Sequence, residues 1–375
     1  MKSIKKIAFI ATVYRHLEAF HLPYIKILQE MGYELHVYGS FDRGKTSLLN
    51  MNVICHDVDF SRNPFSFNNV KALRNLINSF RKNKYSMIHV HTPIASFLVR
   101  IAAKVTNTQN VIYTAHGFHF FKSAPIINWI LYYPLERFMA KFTRILITIN
   151  KEDYCRARNF ISDNRVRYVK GVGVDTSYYS LAHNNSTKLR KQLGLRKNDF
   201  VIICIAELNN NKNHIQLINA IKIVKQKHNN IKCLLVGYGE NEQELKYIVQ
   251  KENLHEEIKF LGFRTDISSL LKVSNIKVLL SKREGLPKSI IEAMASSKPI
   301  LATNIRGNRD LVSNGINGYL VPVGADEITA KKICTLLEDN NKINVMGQKS
   351  KEKANEYDLN SIKQDMKEIY KEVLK

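Results

Sequence analysis

The sequence predicts an α/β protein with two parallel sheets, one in each half of the chain. Apolar runs of strand length alternate with amphipathic runs of helix length from end to end. This βαβα rhythm implies parallel strands covered on both faces. The rhythm also restarts near residue 200, after the stretch VKGVGVDTSYYSLAHNNSTKL, whose glycines and polar residues mark a linker. A chain of 375 residues has room for two such domains.

In the front half, strands are expected over 6–12, 34–38, 53–58, 87–91, 111–115 and 145–149, with helices over 23–31, 72–82 and 95–104. After the linker, strands are expected over 200–206, 232–236, 258–261, 277–280 and 299–302. Helices are expected there over 214–227, 242–251, 287–296 and 326–337. The tail, 359–375, reads as one more amphipathic helix. Each half is therefore Rossmann-like, with a cleft expected between them. The expected boundaries are 1–172 and 173–358, with the 359–375 helix packing back toward the first domain.

The net charge is +24, of which +15 falls in residues 1–170 and +9 in the rest. A basic front half suits an anionic membrane surface, phosphorylated substrates or nucleic acid. No helix-turn-helix, RNA-recognition or zinc-finger signature is present, so nucleic acid ranks third. Five cysteines, none close in sequence, argue against a disulfide framework or a zinc ribbon and fit a reducing cytoplasm. No apolar run reaches the ~18 residues that a membrane span needs. The start, MKSIKKIAFIATVY, imitates a signal peptide, but Arg15, His16 and Glu18 follow with no small-residue cleavage site, so it reads as a first buried strand.

The most informative stretch is SKREGLPKSIIEAMASSKPI, in which Glu284 and Glu292 stand eight residues apart. An apolar strand precedes Glu284, and Pro287 opens a helix that carries Glu292. One carboxylate thus sits at a strand's carboxyl end, where open α/β sheets bind ligands. The other lies in the first turns of the next helix. Gly285 allows close approach to the backbone, and the helix start offers free N–H groups to a phosphate. Glutamates at a helix start are also favoured by the macrodipole alone.

Lys212, in AELNNNKNH, lies near the start of the 214–227 helix, where a lysine can neutralise a diphosphate. VGYGE (236–240) is a glycine turn without the full dinucleotide fingerprint, which argues against an NAD enzyme. In IHVHT and YTAHGFHFF, His89, His91, His116 and His119 invite a metal reading. Strand alternation is taken to turn His89 and His91 to opposite faces, and neither a carboxylate nor a thiol completes a set, so no metal is expected. His116, followed by Gly117, is placed where it reaches the cleft. APIINWILYYPLERFMAKF joins Trp129, Tyr132 and Tyr133 to Arg137 and Lys141, with Lys122 just before. It fits a membrane interface and a core helix with a polar face equally well.

Taken together, these motifs resemble the retaining glycosyltransferases of family 4, which have the GT-B fold of two Rossmann-like domains facing a central cleft. The resemblance covers nearly the whole chain. It extends to bacterial enzymes of capsule and exopolysaccharide assembly at FHLPYIKIL, HVHTPIASF, TAHGFHFF, YYPLERF, LITINKEDY, AELNNNKN and IRGNRDLV. It implies a nucleotide-diphosphate sugar, a UDP-sugar, on the second domain and the acceptor on the first. Glu284 would contact donor sugar hydroxyls, Glu292 the ribose, Lys212 the diphosphate, and His116 the sugar near the reacting carbon. Gly285, Leu286 and Lys288 would surround phosphate and sugar. Many family members carry an Arg where this chain has Glu207; Arg264 and Arg283 are the candidate substitutes. The glycine-rich first loop is replaced by ATVYRHLEAFH, with His16 and His21 as acceptor contacts.

The resulting expectation is transfer, with retention, from a UDP-sugar to a lipid-linked saccharide of the polyprenyl-diphosphate type. The enzyme would need neither cofactor nor metal and would sit peripherally on the inner face of the cell membrane. The alternatives are a UDP-sugar 2-epimerase on the same architecture and a basic nucleic-acid-binding protein.

Overall fold

In the computed structural model, which describes residues 5–61, 63, 66–181 and 186–375, two all-parallel sheets are formed. The first contains β1 (Lys6–Val13), β2 (Glu34–Ser40), β3 (Ile54–Asp57), β4 (Met87–His91), β5 (Val111–Ala115), β6 (Ile145–Thr148) and β7 (Val166–Tyr168). Their order is β3-β2-β1-β4-β5-β6-β7. The second contains β8 (Phe200–Ile205), β9 (Ile231–Val236), β10 (Ile258–Phe260), β11 (Ile276–Leu279), β12 (Ile300–Thr303) and β13 (Gly318–Val321). Their order is β10-β9-β8-β11-β12-β13. The fold is α/β with two Rossmann-like sheets.

The apolar runs become central strands because both of their faces are buried. In β1, Ala8 and Ile10 enter one apolar cluster while Ile7 and Phe9 enter another. In β8, Ile202 and Cys204 face one cluster and Val201 and Ile203 the opposite one. Two edge strands have no counterpart among the sequence expectations. β7 is the three-residue VRY, and β13 is GYLV. Both are too short for a periodic signal, and β13 opens on Gly318 at φ 157°.

The chain divides into two compact units, Met1–Val172 with Asn360–Lys375, and Gly173–Leu359. The tail returns to the first unit for an apolar reason. Ile362, Met366, Ile369, Tyr370 and Val373 on one face of the helix Leu359–Leu374 join the cluster of Ile7, Phe9, Ile112 and Ile145.

In each unit the strand order reverses next to the first strand, between β1 and β4 and between β8 and β11. The crevice outside the strand ends at such a switch point is where open α/β sheets bind ligands. Among the described residues no helix is long and apolar enough to cross a membrane.

Candidate functional site

In the second unit, the loops after β8 and β11 are tied together at the switch point. Lys282 N–H donates to Asn211 O at 2.8 Å, and Asn211 Nδ2 donates to Arg283 O at 3.0 Å. Asn213, in the left-handed region at φ 53°, turns the chain into the helix His214–Lys225. Two glycines let neighbouring loops close in. A Cβ on Gly237 would lie 2.0 Å from Ala206 O, and one on Gly307 2.2 Å from Gly285 O.

This scaffold brings Lys212 and Glu284, 72 residues apart, to 2.6 Å between Nζ and Oε1. Both are largely shielded, with 22% and 11% of their side chains exposed. Pro287 caps the helix Lys288–Ala295 rather than opening it. Glu292 lies inside this helix, and burial pushes its carboxyl up against the pull of Lys288 and a hydrogen bond from Tyr179. Lys288 Nζ stands 3.8 Å from Glu292 Oε1. Gly285 and Leu286 occupy the loop between the two carboxylates, half-buried.

The two arginines named as substitutes fare differently. Arg264 is committed to Asp266 by a two-pronged pair at 2.8 and 2.6 Å. Arg283 and Glu207 are exposed.

Two further cations escaped the sequence reading. Lys277, on β11, is fully buried and donates to Ile205 O at 3.2 Å. Burial lowers its ammonium to about 8, and Glu292, Lys212 and Glu284 are among the charges that act on it. The available signal was a lysine inside the apolar run of a central parallel strand, where charge is almost never buried without a reason. Arg306, 4% exposed, donates from Nε to Glu284 O at 3.2 Å. It lies in IRGNRDLV, next to the positive-φ Gly307.

In the first unit, histidines gather at the ends of β1, β4 and β5. His16 and His21 come from the helix Tyr14–Phe20 and its C-cap, His91 from β4, and His116 from just after β5. One ring nitrogen of each lies within 4.8 Å of all the others. His21 is 2% exposed and stacks on His91 at 3.7 Å between ring centres. His16 and His116 are half-buried and so more accessible than His21.

The expectation that His89 and His91 face opposite ways is wrong. Residues two apart on a strand share a face, and their rings are 4.2 Å apart. His89 is nonetheless spoken for, with Nδ1 at 3.0 Å from Tyr370 Oη and Nε2 at 2.8 Å from Thr114 Oγ1. His119 stacks on Tyr132.

The helix Ile126–Met139 combines the two sequence readings. Trp129, Tyr132 and Tyr133 pack on the core, while Ile126, Ile127, Ile130, Leu131 and Phe138 are exposed. A contiguous apolar face of this kind marks an interaction surface.

The chain also matches known families, relatives and solved structures. Residues 185–353 match the model for glycosyl transferases group 1, and residues 6–150 match that for glycosyl transferase 4-like proteins. The chain is 35% identical to glycosyltransferase EpsD of Bacillus subtilis, over 98% of its own length and 96% of the relative's. It is 30% identical to the Escherichia coli UDP-Gal:alpha-D-GlcNAc-diphosphoundecaprenol alpha-1,3-galactosyltransferase, covering 82% of this chain and 81% of that one. Among solved structures, Anabaena HepE in complex with UDP and glucose superposes with a TM-score of 0.82 at 23% identity, over 98% and 100% of the two chains.

Proposed function

The chain belongs to the glycosyl transferases group 1 family (family 4) and has the GT-B fold, and from that premise we propose that it transfers a sugar from a UDP-sugar to a polyprenyl-diphosphate-linked saccharide, with retention at the anomeric carbon. The observation that carries this reading is the convergence of Lys212, Glu284 and Glu292 at one sheet switch point, with Lys212 and Glu284 2.6 Å apart. The choice of UDP and of a lipid-linked acceptor is supported by the printed activity of the Escherichia coli relative.

The chemical problem is charge. The diphosphate departs as an anion while the sugar becomes oxocarbenium-like. Preorganised cations and N–H groups aimed at the anion are then the main catalytic contribution. Lys212 takes the diphosphate, with the start of the helix Lys288–Ala295 adding N–H groups. Glu284 holds Lys212 in place before the donor arrives and accepts from the sugar hydroxyls afterwards. Glu292, whose carboxyl burial pushes up, pairs with ribose hydroxyls. Gly285, Leu286 and Lys288 border phosphate and sugar. Arg264, already paired, is a poor substitute for the missing arginine, whereas Lys277 and Arg306 lie close to the glutamates. The first unit takes the acceptor, with the half-buried His16 as its first contact and His21 deeper, and His116 faces the sugar near the reacting carbon.

The helix Ile126–Met139 rests on the membrane face that holds the acceptor. Its exposed isoleucines and leucine enter the headgroup region while Lys122, Arg137 and Lys141 meet anionic lipid. In this reading the protein sits peripherally on the inner face of the cell membrane.

Thermal unfolding against a UDP-sugar panel tests the donor. A donor at about 100 times its Kd stabilises by about 2.7 kcal/mol. The expected result is a shift with UDP and one UDP-sugar that is lost in Lys212→Ala. A shift of equal size in that variant, or none with any uridine nucleotide, overturns the donor assignment.

A further inference from the structure

Three cations of the second unit line one cavity at the amino end of β11, opposite the end that leads to Glu284. Arg190 comes from the helix Ser186–Gln192, Lys272 from the helix Ile267–Val273, and Lys298 from the turn after the helix Lys288–Ala295. The cavity holds about 340 Å³, and among the described residues no carboxylate lines it. We propose that Arg190, Lys272 and Lys298 bind a small phosphate-bearing dianion there, separately from the donor site.

Charge balance is the first reason. Backbone oxygens hold the cations in place. Lys298 Nζ donates to Ser274 O at 2.6 Å, Arg190 Nη1 to Val273 O at 2.9 Å and Lys272 Nζ to Ser180 O at 3.3 Å. Val273 and Ser274 end the helix Ile267–Val273, so simple capping of that helix is the competing account. A helix end carries only about −0.5 of an elementary charge, however, against three positive charges. The acids at hand are already committed. Asp199, whose backbone oxygen accepts from Arg190, holds Arg196 by its carboxylate. Asp266, which shares a second pocket with Lys272, holds Arg264. Glu352, which accepts from Gln348 on the cavity wall, holds Lys349.

Burial is the second reason. Burial and the neighbouring Lys272 lower the Lys298 ammonium to about 8, and burial and Lys351 lower that of Lys272. Surplus lysines of a basic chain normally stand apart in water. These two are half-buried and repel each other. A dianion between them relieves both costs, and a concavity lined by one sign of charge concentrates such ions.

Free donors are the third reason. Each lysine uses one of its three N–H groups, and Arg190 uses three of its five. Asn275 Oδ1 accepts from Val201 N–H at 2.7 Å, which leaves its amide NH2 as a neutral donor on the cavity wall. Charged donors from several directions suit the oxygens of a phosphate. Only Val273 and Ile343 are apolar among the lining residues, so a water-soluble phosphate compound fits here better than a lipid headgroup with its chains.

The test uses full-length protein carrying Lys212→Ala, which disables the donor site, titrated with pyrophosphate by calorimetry at low salt. The expected result is one pyrophosphate per chain. Adding Lys298→Met should weaken binding by about 10-fold or more, because a hydrogen bond between charged groups is lost. Lys272→Met should do the same, and it serves alone if Lys298→Met does not fold. Flotation with phosphatidylglycerol vesicles tests the lipid source, and it should be equal for wild type and Lys298→Met. The proposal is overturned if the Lys212→Ala protein takes up no pyrophosphate, or if the added methionine leaves binding unchanged. It is equally overturned if Lys298→Met loses flotation, which assigns the cations to lipid.

Discussion

Replacing Lys277 by Met separates the stability of the second unit from its function. The ammonium is fully buried, and burial lowers it from 10.5 to about 8. A tenfold change in proton affinity corresponds to about 1.4 kcal/mol, so holding this lysine charged near pH 7 costs about 3 kcal/mol. Methionine removes that cost but also the bond from Nζ to Ile205 O, which takes back about 1 kcal/mol. The net expectation is a gain of about 2 kcal/mol, or roughly 4–8 °C in Tm for a unit of this size.

The pH dependence follows from the same lowering. With the folded value below the unfolded one, the unfolded chain binds more protons between about pH 8 and 10.5, so wild-type stability rises through that window. Lys277→Met lacks this rise, and its advantage shrinks as pH climbs. Turnover should fall at the same time, because the charge acts on Glu284, Glu292 and Lys212. Gains in stability that cost activity are typical of groups kept for a site. Calorimetry at pH 7 and at pH 10 on both proteins measures this. A variant that is no more stable at pH 7, or that keeps the wild-type slope, refutes the reasoning.

Lys212→Ala should lower turnover by ~100-fold or more with an unchanged circular dichroism spectrum, as read by UDP release. Glu292→Gln should raise KM for the UDP-sugar more than it lowers kcat, because it removes a ribose contact rather than a charge at the reacting centre; the reverse split in steady-state kinetics contradicts the assignment. Ile130→Asp with Leu131→Asp should abolish flotation with anionic liposomes at low salt while leaving Tm within about 1 kcal/mol equivalent of wild type, since exposed positions contribute little to stability. Flotation by the double variant at the wild-type level removes this helix from the membrane face.

Much of the architecture was legible because burial on both faces writes itself into a parallel strand as an apolar run. β1, β4, β5, β8, β9 and β11 all lie where such runs stand. The Glu284–Glu292 stretch was legible for the same reason, since a strand, a polar loop and a proline-led helix follow one another locally. Lys277 was not, because a single lysine in an apolar run reads as strand composition until its burial is known. Arg306 was hidden in a loop that only the approach of Gly307 to Gly285 explains. The histidine set was lost twice. Its members come from four separate segments, and an incorrect strand alternation dismissed His89 and His91 together. The exposed face of the helix Ile126–Met139 was blurred by its aromatic residues, which turned out to serve the core.

The most direct test of the proposed transfer is a paired assay of UDP release and product. Purified protein is given the UDP-sugar that stabilises it, with and without a polyprenyl-diphosphate-linked saccharide, and the new linkage is read by NMR. The predicted result is UDP release that depends on the acceptor, with a product whose new glycosidic bond keeps the donor's α configuration. Conversion of the UDP-sugar to another sugar without acceptor, or a product of inverted configuration, would contradict it.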